Sequence, residues 1–281
     1  QVLVDGSSTV YPITEAMAEE YMLAEGRGVR VSVGVSGTGG GFERFCAGEI
    51  DVANASRPIK ESEREACAAA GVEFLELPVA YDGISITVHP DNTLVDCLTV
   101  AELRALWRPE SPVRLWSQLR PGFPATPIRL YGPGTDSGTF DYFTEAIVGE
   151  EDASRADYTA SEDDNVLVQG VSGDPGALGY FGFAYYEKNA GRLKLLGVDS
   201  GQGCVKPTRK TIASGSYAPL SREMFIYVRR DALQQPHVAG FVQFYLENAA
   251  ELVPQVGYVP LDAADYAQGL RKAGLAGEER S

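Results

Sequence analysis

Three segments of this chain share one pattern, in which a short apolar strand is followed by a loop of serine, threonine and glycine and then by a helical pattern. The predicted strands cover residues 2–4, 29–35 and 128–131, and the loops that follow them cover residues 5–9, 36–41 and 132–139. Strands that alternate with helices in this way predict an α/β fold with a mostly parallel central sheet covered by helices.

The helices themselves have start signals in the sequence. Pro12 fits the first turn of the first helix, and the second helix is expected to begin near Phe42. A hydroxyl residue three positions ahead of a glutamate predicts a capping box at Ser62 and another at Thr99. A further helix is expected to open at residues 163–165.

The three loops suit the binding of an oxyanion. At a strand-to-helix junction, free backbone N–H groups and the positive end of the helix dipole face the same point. In an open α/β sheet such loops gather at the carboxyl edge, where ligands bind. The chain has neither a P-loop nor a GxGxxG after a strand, so a small free anion is favoured over a nucleotide. Arg57, just after the predicted strand 50–53, has the planar fork that binds a tetrahedral oxyanion.

Charge and composition exclude several function classes. The 281 residues suffice for about two domains. They include 24 Lys and Arg against 39 Asp and Glu, a net charge of −15, which excludes the concentrated positive surface that nucleic acid and anionic membranes require. No apolar run approaches the length of a membrane span. An anion must therefore be held by short-range donors, because the overall field of the protein repels it.

Metal sites and covalent cross-links depend on the few cysteines and histidines. The four cysteines have no CxxC spacing and the chain has only two histidines, so we expect no metal site and no cofactor. From spacing alone, two disulfides in any of three pairings and four free thiols stay open.

A serine hydrolase is the main alternative from another function class. Ser137 lies between Asp136 and Gly138, a neighbourhood typical of some hydrolase nucleophiles, and the base would be His89 or His237. The chain lacks a GxSxG elbow, and neither histidine has a patterned acidic partner. We therefore predict a binding protein that is not an enzyme.

Five motifs, taken in order, point to a family. They are GSSTVYP at 6–12, SGTGGG at 36–41, DVANASR at 51–57, TDSGT at 135–139 and GALGYF at 176–181. Each motif alone is degenerate, but the ordered set resembles the phosphate-binding receptors of ABC importers, the PstS family. The resemblance extends from Val2 to about Tyr266.

The resemblance implies a two-lobed periplasmic-binding-protein fold of type II. Each lobe has a central, mostly parallel sheet flanked by helices, and the lobes close on one dehydrated phosphate in the cleft between them. Lobe one is expected to comprise residues 1–83 and 226–281, and lobe two residues 84–225, with hinge crossovers near 81–85 and 224–227. This division implies one disulfide in each lobe, Cys46 with Cys67 and Cys97 with Cys204.

The resemblance also implies a set of phosphate-binding residues that agrees with the loops identified above. These residues are Ser8, Thr9, Val10, Ser36, Gly37, Thr38, Gly39, Ser56, Arg57, Ser137, Gly138 and Thr139.

Two departures from the family affect anion selectivity. Some members have an aspartate at the position of Arg57, where it accepts the proton of hydrogen phosphate and so rejects sulfate, and some have an arginine at the position of Pro133. The acceptor here is then Asp136, Asp141 or Asp164, or a backbone carbonyl, and we place Asp136 first because it adjoins Ser137. Sulfate, molybdate or arsenate remains an alternative ligand.

The function implied by the resemblance is high-affinity binding of inorganic phosphate and its delivery to the membrane permease subunits of an ABC importer. The protein is expected to be an exported monomer, periplasmic or at the cell surface, whose leader is absent from the chain. A phosphate-responsive surface protein without an importer partner is a further alternative.

Overall fold

The computed structural model of the protein describes residues 1–25 and 28–276. The end of the predicted lobe one, residues 277–281, lies outside the described residues. The strands are β1 (Val2–Gly6), β2 (Val31–Val33), β3 (Val52–Ala55), β4 (Phe74–Val88), β5 (Cys97–Thr99), β6 (Arg129–Gly132), β7 (Thr159–Ala160), β8 (Ala177–Gly182), β9 (Lys194–Leu195), β10 (Gly197–Asp199), β11 (Cys204–Val205), β12 (Ser221–Arg229) and β13 (Val259–Pro260).

Helices separate most of these strands, as the sequence predicts for an α/β protein. They are α1 (Tyr11–Glu25), α2 (Gly37–Cys46), α3 (Glu61–Ala69), α4 (Val100–Trp107), α5 (Trp116–Leu119), α6 (Gly138–Phe143), α7 (Asp164–Gly173), α8 (Phe183–Lys188), α9 (Arg209–Ala213), α10 (Pro236–Leu252) and α11 (Ala263–Ala273). A π-type turn, Thr144–Val148, continues α6.

The chain divides into two compact units. Unit 1 comprises Gln1–Tyr81 together with the chain from Glu223 onward, and unit 2 is Asp82–Arg222. The chain therefore leaves unit 1 inside β4 and returns to it inside β12. The sequence placed the two changes at 83/84 and 225/226, two and three residues later. That these crossovers act as hinges stays a prediction.

The sheet of unit 1 combines a parallel part with antiparallel strands. Its order is β2-β1-β3-β12-β4, with β13 on β4. β1 is parallel to β2 and β3, whereas β12 is antiparallel to β3. Both faces are covered: Val52 of β3 joins a core with α1 and α10, and the adjacent Ala53 joins a core with α2. Successive side chains of a strand point to opposite faces, which explains the division.

Unit 2 has two sheets. The larger has the order β4-β8-β6-β7, with β6 parallel to β8 and β7, and β4 antiparallel to β8. The smaller has the order β11-β10-β5. In both units the parallel strands are joined through helices, so that their carboxyl ends share one edge of the sheet.

The structure contains the two disulfides that the resemblance implied, Cys46–Cys67 in unit 1 and Cys97–Cys204 in unit 2. The second joins the outer strands of the small sheet across β10. Gly197 of β10 permits this crossing, because a Cβ there would overlap Cys204 Sγ. Disulfide bonds are thereby confirmed, and all four cysteines are paired.

Three predicted helix starts are confirmed and two are wrong. Pro12 lies in the first turn of α1. Thr99 caps α4 with a reciprocal bond from Glu102, and Asp163 caps α7. The cap of α3 is Lys60, two residues before the predicted Ser62, because the carboxylate of Glu63 accepts the Lys60 N–H at 2.8 Å. Helix α2 begins at Gly37, five residues ahead of the position predicted near Phe42.

Candidate functional site

Two hydrogen bonds join the predicted anion-binding loops of unit 1 at the carboxyl ends of β1, β2 and β3. The N–H of Ser36, after β2, donates to the carbonyl of Gly6 at 3.2 Å. The N–H of Ser7, after β1, donates to the carbonyl of Asn54 in β3 at 3.0 Å. The loop after β1 is therefore tied to both of its neighbours.

The loops after β2 and β3 also meet directly, through Thr38 and Ser56. Their hydroxyl oxygens lie 3.1 Å apart, and the Ser56 N–H donates to Thr38 Oγ1 at 3.2 Å. Thr38 stands in the first turn of α2, where backbone N–H groups lack partners within the helix. This junction therefore combines two hydroxyls with a helix N-terminus, which is the chemistry that binds an oxyanion.

The glycines of residues 37–41 allow close packing rather than a flexible loop. A Cβ on Gly41 would lie 2.6 Å from the Cα of Gly6, so only glycine lets α2 approach β1 this closely. Tertiary packing here outweighs the low helix propensity of glycine, which is why the helix starts at Gly37 rather than near Phe42. At Gly39, by contrast, a Cβ would meet nothing within 4 Å.

Arg57 is held in a two-point ion pair with Glu63. Its Nη1 lies 2.8 Å from Glu63 Oε2 and its Nη2 2.7 Å from Oε1. The guanidinium also lies 5.7 Å from the ring centroid of Phe42. Partial burial pushes the pKa of Glu63 upward, but the hydrogen bonds from Arg57 and from the Lys60 N–H together outweigh it and hold the pKa below its usual range.

In unit 2, the loop after β6 ends in an N-cap. Ser137 Oγ accepts the Thr139 N–H at 3.2 Å, and Ser137 O accepts the Asp141 N–H at 3.1 Å at the start of α6. The Ser137 N–H donates to the carbonyl of Gly134 at 3.2 Å. The loop is therefore a tight turn that ends at a helix N-terminus.

An aromatic cluster supports this loop. Phe143 stacks on Tyr180 with ring centroids 3.8 Å apart, and Trp107 meets Tyr180 edge-on at 4.8 Å. Tyr158 donates its hydroxyl to the carbonyl of Pro133 at 2.7 Å. A Cβ on Gly132 would lie 2.9 Å from the Tyr180 ring, so the strand end reaches the cluster only with glycine.

Asp164, at the start of α7, is an acidic group of this edge whose pKa is raised. Burial raises its pKa to about 7, with further contributions from the negative charges of Asp163, Glu162 and Asp82, while the Gly182 N–H partly opposes the rise. Gly182 ends β8, beside β6. Asp164 and the Ser137 loop thus belong to the same carboxyl edge of the unit 2 sheet.

The other two candidate proton acceptors have different surroundings. Asp136 is exposed, and its N–H donates to Glu162 Oε1 at 3.3 Å. Asp141 is half-buried in the first turn of α6. Glu162 thus links the Ser137 loop to the segment that leads into α7.

Comparison with known proteins decides the family. The model of the PBP superfamily domain matches residues 1–249. The phosphate-binding protein PstS of Staphylococcus saprophyticus is 40% identical over 271 residues, which cover 95% of this chain and 82% of that protein. The chain belongs to the PstS family. Protein SphX of Synechococcus elongatus is 51% identical to this PstS-family chain over 268 residues, which cover 94% of the chain and 79% of that protein.

Solved structures agree with this assignment. A possible phosphate binding protein from Planctomyces limnophilus superimposes with a TM-score of 0.92 at 46% identity, covering 99% of this PstS-family chain and 98% of that one. An ABC-type phosphate transport receptor from Vibrio cholerae gives a TM-score of 0.69 at 23% identity, covering 93% and 100% of the two chains, and shows the fold alone. The expected periplasmic-binding-protein fold is confirmed.

In each unit, the structure brings the predicted ligand residues to one edge of the sheet. In unit 1 these are Ser8, Thr9, Val10, Ser36, Gly37, Thr38, Gly39, Ser56 and Arg57. In unit 2 they are Ser137, Gly138 and Thr139. Their role as phosphate ligands stays a prediction.

The arrangement at Ser137 does not support a hydrolase. Its Oγ serves as the cap of α6, and His89, which shares unit 2 with it, accepts the Asp91 N–H at 3.2 Å. Within residues 1–25 and 28–276, no three His, Cys, Asp or Glu side chains form a group that could hold a metal ion, and no helix is long and apolar enough to cross a membrane.

Sequence reasoning missed two acidic residues of the site. Glu63 pairs with Arg57, and Glu162 contacts the Ser137 loop through the Asp136 N–H. Glu63 stands in the first turn of a helix, where a glutamate is common, so nothing in the sequence distinguishes it. The run of three acids at 162–164, at the start of a predicted helix, was the available signal for Glu162.

Proposed function

We propose that this chain binds inorganic phosphate and delivers it to the permease subunits of an ABC importer. The observation that carries the proposal is the junction of the three unit 1 loops, where hydroxyls and helix N-termini converge at one sheet edge. Membership of the PstS family supports phosphate as the anion, because the relatives of that family are named phosphate-binding proteins. The proposal treats the protein as a receptor without catalytic activity or cofactor.

The proposed ligand set draws hydrogen-bond donors from both units. Unit 1 contributes backbone N–H groups and hydroxyls after β1, β2 and β3, together with Arg57. Unit 2 contributes the Ser137 loop at the start of α6. Neutral donors of this kind replace the water molecules that hydrate the anion. They act at short range, so binding does not need a long-range attraction, which a protein with a net charge of −15 does not provide.

We propose Asp164 as the acceptor of the phosphate proton, in preference to Asp136. A carboxylate whose pKa is about 7 exchanges its proton in the range in which phosphate exchanges its own, so the two groups share one proton readily. Sulfate has no proton to give near neutral pH. Ionised Asp164 therefore repels sulfate and accepts from hydrogen phosphate.

Isothermal titration of the wild type and of Asp164→Asn with phosphate and sulfate tests the proposal. We expect the wild type to bind phosphate in preference to sulfate and Asp164→Asn to lose about 10- to 100-fold of that preference, the cost of an unmet hydrogen bond. As the pH falls through about 7, Asp164 of the wild type gains a proton and becomes a donor, so sulfate binding should strengthen from pH 8 to pH 6. In Asp164→Asn that pH dependence should be absent.

Asp163→Asn is the matched control, because it removes the same charge one residue earlier and asparagine still caps α7. It should keep the selectivity of the wild type at pH 8, while sulfate binding should begin to strengthen at a lower pH, because the Asp163 charge contributes to the raised pKa of Asp164. Equal selectivity in wild type and Asp164→Asn would exclude Asp164 as the acceptor. Failure of the wild type to bind phosphate at any pH would contradict the proposed function itself.

We further propose that the protein works as an exported monomer outside the cytoplasmic membrane, in the periplasm or at the cell surface. The two disulfides support this location, because such bonds persist in oxidising compartments.

A further inference from the structure

Glu63 controls the charge that Arg57 can offer to an anion. Both carboxylate oxygens of Glu63 engage the guanidinium, at 2.7 and 2.8 Å, and the pair is shielded, with Glu63 18% and Arg57 31% exposed. The Lys60 N–H holds Glu63 Oε2 at 2.8 Å, so the carboxylate is fixed by backbone as well as by its partner. The positive charge of the Arg57 guanidinium is therefore balanced by the fixed carboxylate of Glu63.

The consequence is an arginine that donates hydrogen bonds without adding net positive charge. A ligand bound to Arg57 lies one guanidinium away from Glu63, well within the distance over which partly buried charges interact. Glu63 repels each negative charge of the ligand, so the dianion is repelled about twice as strongly as the monoanion.

We propose that Glu63 is a specificity-determining residue that makes the site favour monoanionic dihydrogen phosphate over dianionic hydrogen phosphate. The inference rests on the proposed function, and it concerns a residue outside the predicted ligand set. Its effect is electrostatic and acts through Arg57.

Two other charged side chains lie near Glu63. Lys60 precedes α3, and Glu43 of α2 lines the same cavity of about 380 Å³ as Glu63. Between pH 6 and pH 8.5, phosphate itself and Asp164 of unit 2 change charge, and comparison of variants at one pH cancels the contribution of Asp164.

The experiment is isothermal titration of the intact protein with inorganic phosphate at pH 6 and pH 8.5, in wild type, Glu63→Gln and Glu61→Gln. Glutamine keeps the shape of Glu63 and removes its charge. We expect Glu63→Gln to bind phosphate about tenfold more tightly than the wild type at pH 8.5, where the dianion prevails, and to gain a clearly smaller factor at pH 6, where the monoanion prevails. Glu61, two residues earlier on α3 and exposed, is the matched control and should leave both affinities unchanged.

A double-mutant cycle with Arg57→Ala shows whether Glu63 acts through Arg57. In the Arg57→Ala background, the gain in phosphate affinity from Glu63→Gln at pH 8.5 should shrink severalfold, because the guanidinium through which Glu63 acts is gone.

Equal weakening of phosphate binding by Glu63→Gln at both pH values would overturn the inference, since it would show that Glu63 only orients Arg57. An unchanged pH profile, or a gain equal to that of Glu61→Gln, would also overturn it. Absence of phosphate binding in the wild type at both pH values would instead overturn the proposed function and this inference with it.

Discussion

Replacing Arg222 with methionine should lower the free energy of unfolding of unit 2 by about 3–5 kcal/mol near pH 7.5. Nε and Nη2 of Arg222 each lie 3.3 Å from Asp82 Oδ2, and the two side chains are 16% and 2% exposed. The guanidinium also lies 3.7 Å from the ring centroid of Tyr142 on α6. Methionine fills similar space and leaves a buried carboxylate without its cation.

The burial of Asp82 determines how this loss of unfolding free energy depends on pH. Burial raises the pKa of Asp82 and the Arg222 charge opposes that rise, so removal of Arg222 raises the pKa further. In the variant, the pKa of Asp82 in the folded state lies above its unfolded-state value of about 4. The loss of unfolding free energy is therefore absent below about pH 4 and grows as the pH rises towards the folded-state pKa. We therefore expect a much smaller loss at about pH 4.5, and Asp82→Asn combined with Arg222→Met should recover most of it at pH 7.5.

Urea unfolding followed by tryptophan fluorescence measures this effect in unit 2 alone. The two tryptophans of the chain, Trp107 and Trp116, are both buried in unit 2. Arg209→Met is the matched control, because Arg209 pairs with Glu187 at the surface of the same unit, with side chains 58% and 39% exposed. Such a pair contributes about 0–1 kcal/mol. If Arg222→Met lost no more than Arg209→Met, the buried pair would not have the stabilising role assigned to it.

Removing the Cys97–Cys204 disulfide should cost unit 2 about 5 kcal/mol by the chain-entropy model, as large an effect as the loss of Arg222. The bond spans 107 residues of sequence, so its reduction frees a long loop in the unfolded chain. In the folded unit it crosses β10 at Gly197 and joins the outer strands of the small sheet. The double variant Cys97→Ser, Cys204→Ser avoids a lone thiol and should unfold at lower urea when followed by tryptophan fluorescence.

The Cys46–Cys67 bond provides the comparison within the same protein. It spans only 21 residues, for which the same model gives about 3 kcal/mol. Its removal should affect unit 1, measured by far-UV circular dichroism, and leave the tryptophan transition of unit 2 almost unchanged. Equal losses from the two double variants would contradict the dependence on loop length.

The fold of this chain could be predicted in outline because its pattern is local and repeated. The strands at residues 2–4 and 29–35 and the turn at residues 132–139 each carry their own periodicity or turn chemistry. Capping chemistry likewise identified the starts of α4 and α7, where Thr99 and Asp163 bind their own helices. Information of this kind lies within a few residues of the element that it specifies.

The features that sequence reasoning missed depend on contacts distant along the chain or on competing local partners. The start of α2 at Gly37 follows from the contact of Gly41 with Gly6, 35 positions earlier in the chain. The start of α3 was misplaced because its N-cap is Lys60, which has no hydroxyl and gives no capping signal in the sequence, whereas Ser62 with Glu65 fits the pattern.

The same limit applies to the candidate site. Hydroxyls and glycines at strand ends could be identified from the sequence, since residue type alone determines their chemistry. The properties of Arg57 and Asp164 depend on neighbours: the first has a counter-charge from Glu63, and the second has a pKa raised by burial and by surrounding carboxylates. Neither property follows from the side chain by itself.

Titration of the unaltered protein with phosphate, in buffer without competing oxyanions and then in buffer with excess sulfate, shows whether phosphate is the ligand. We predict one phosphate bound per chain at pH 8 and an affinity that excess sulfate changes little, because ionised Asp164 excludes an anion that has no proton to donate. Tight binding of sulfate that phosphate does not displace would contradict the assignment of phosphate as the ligand.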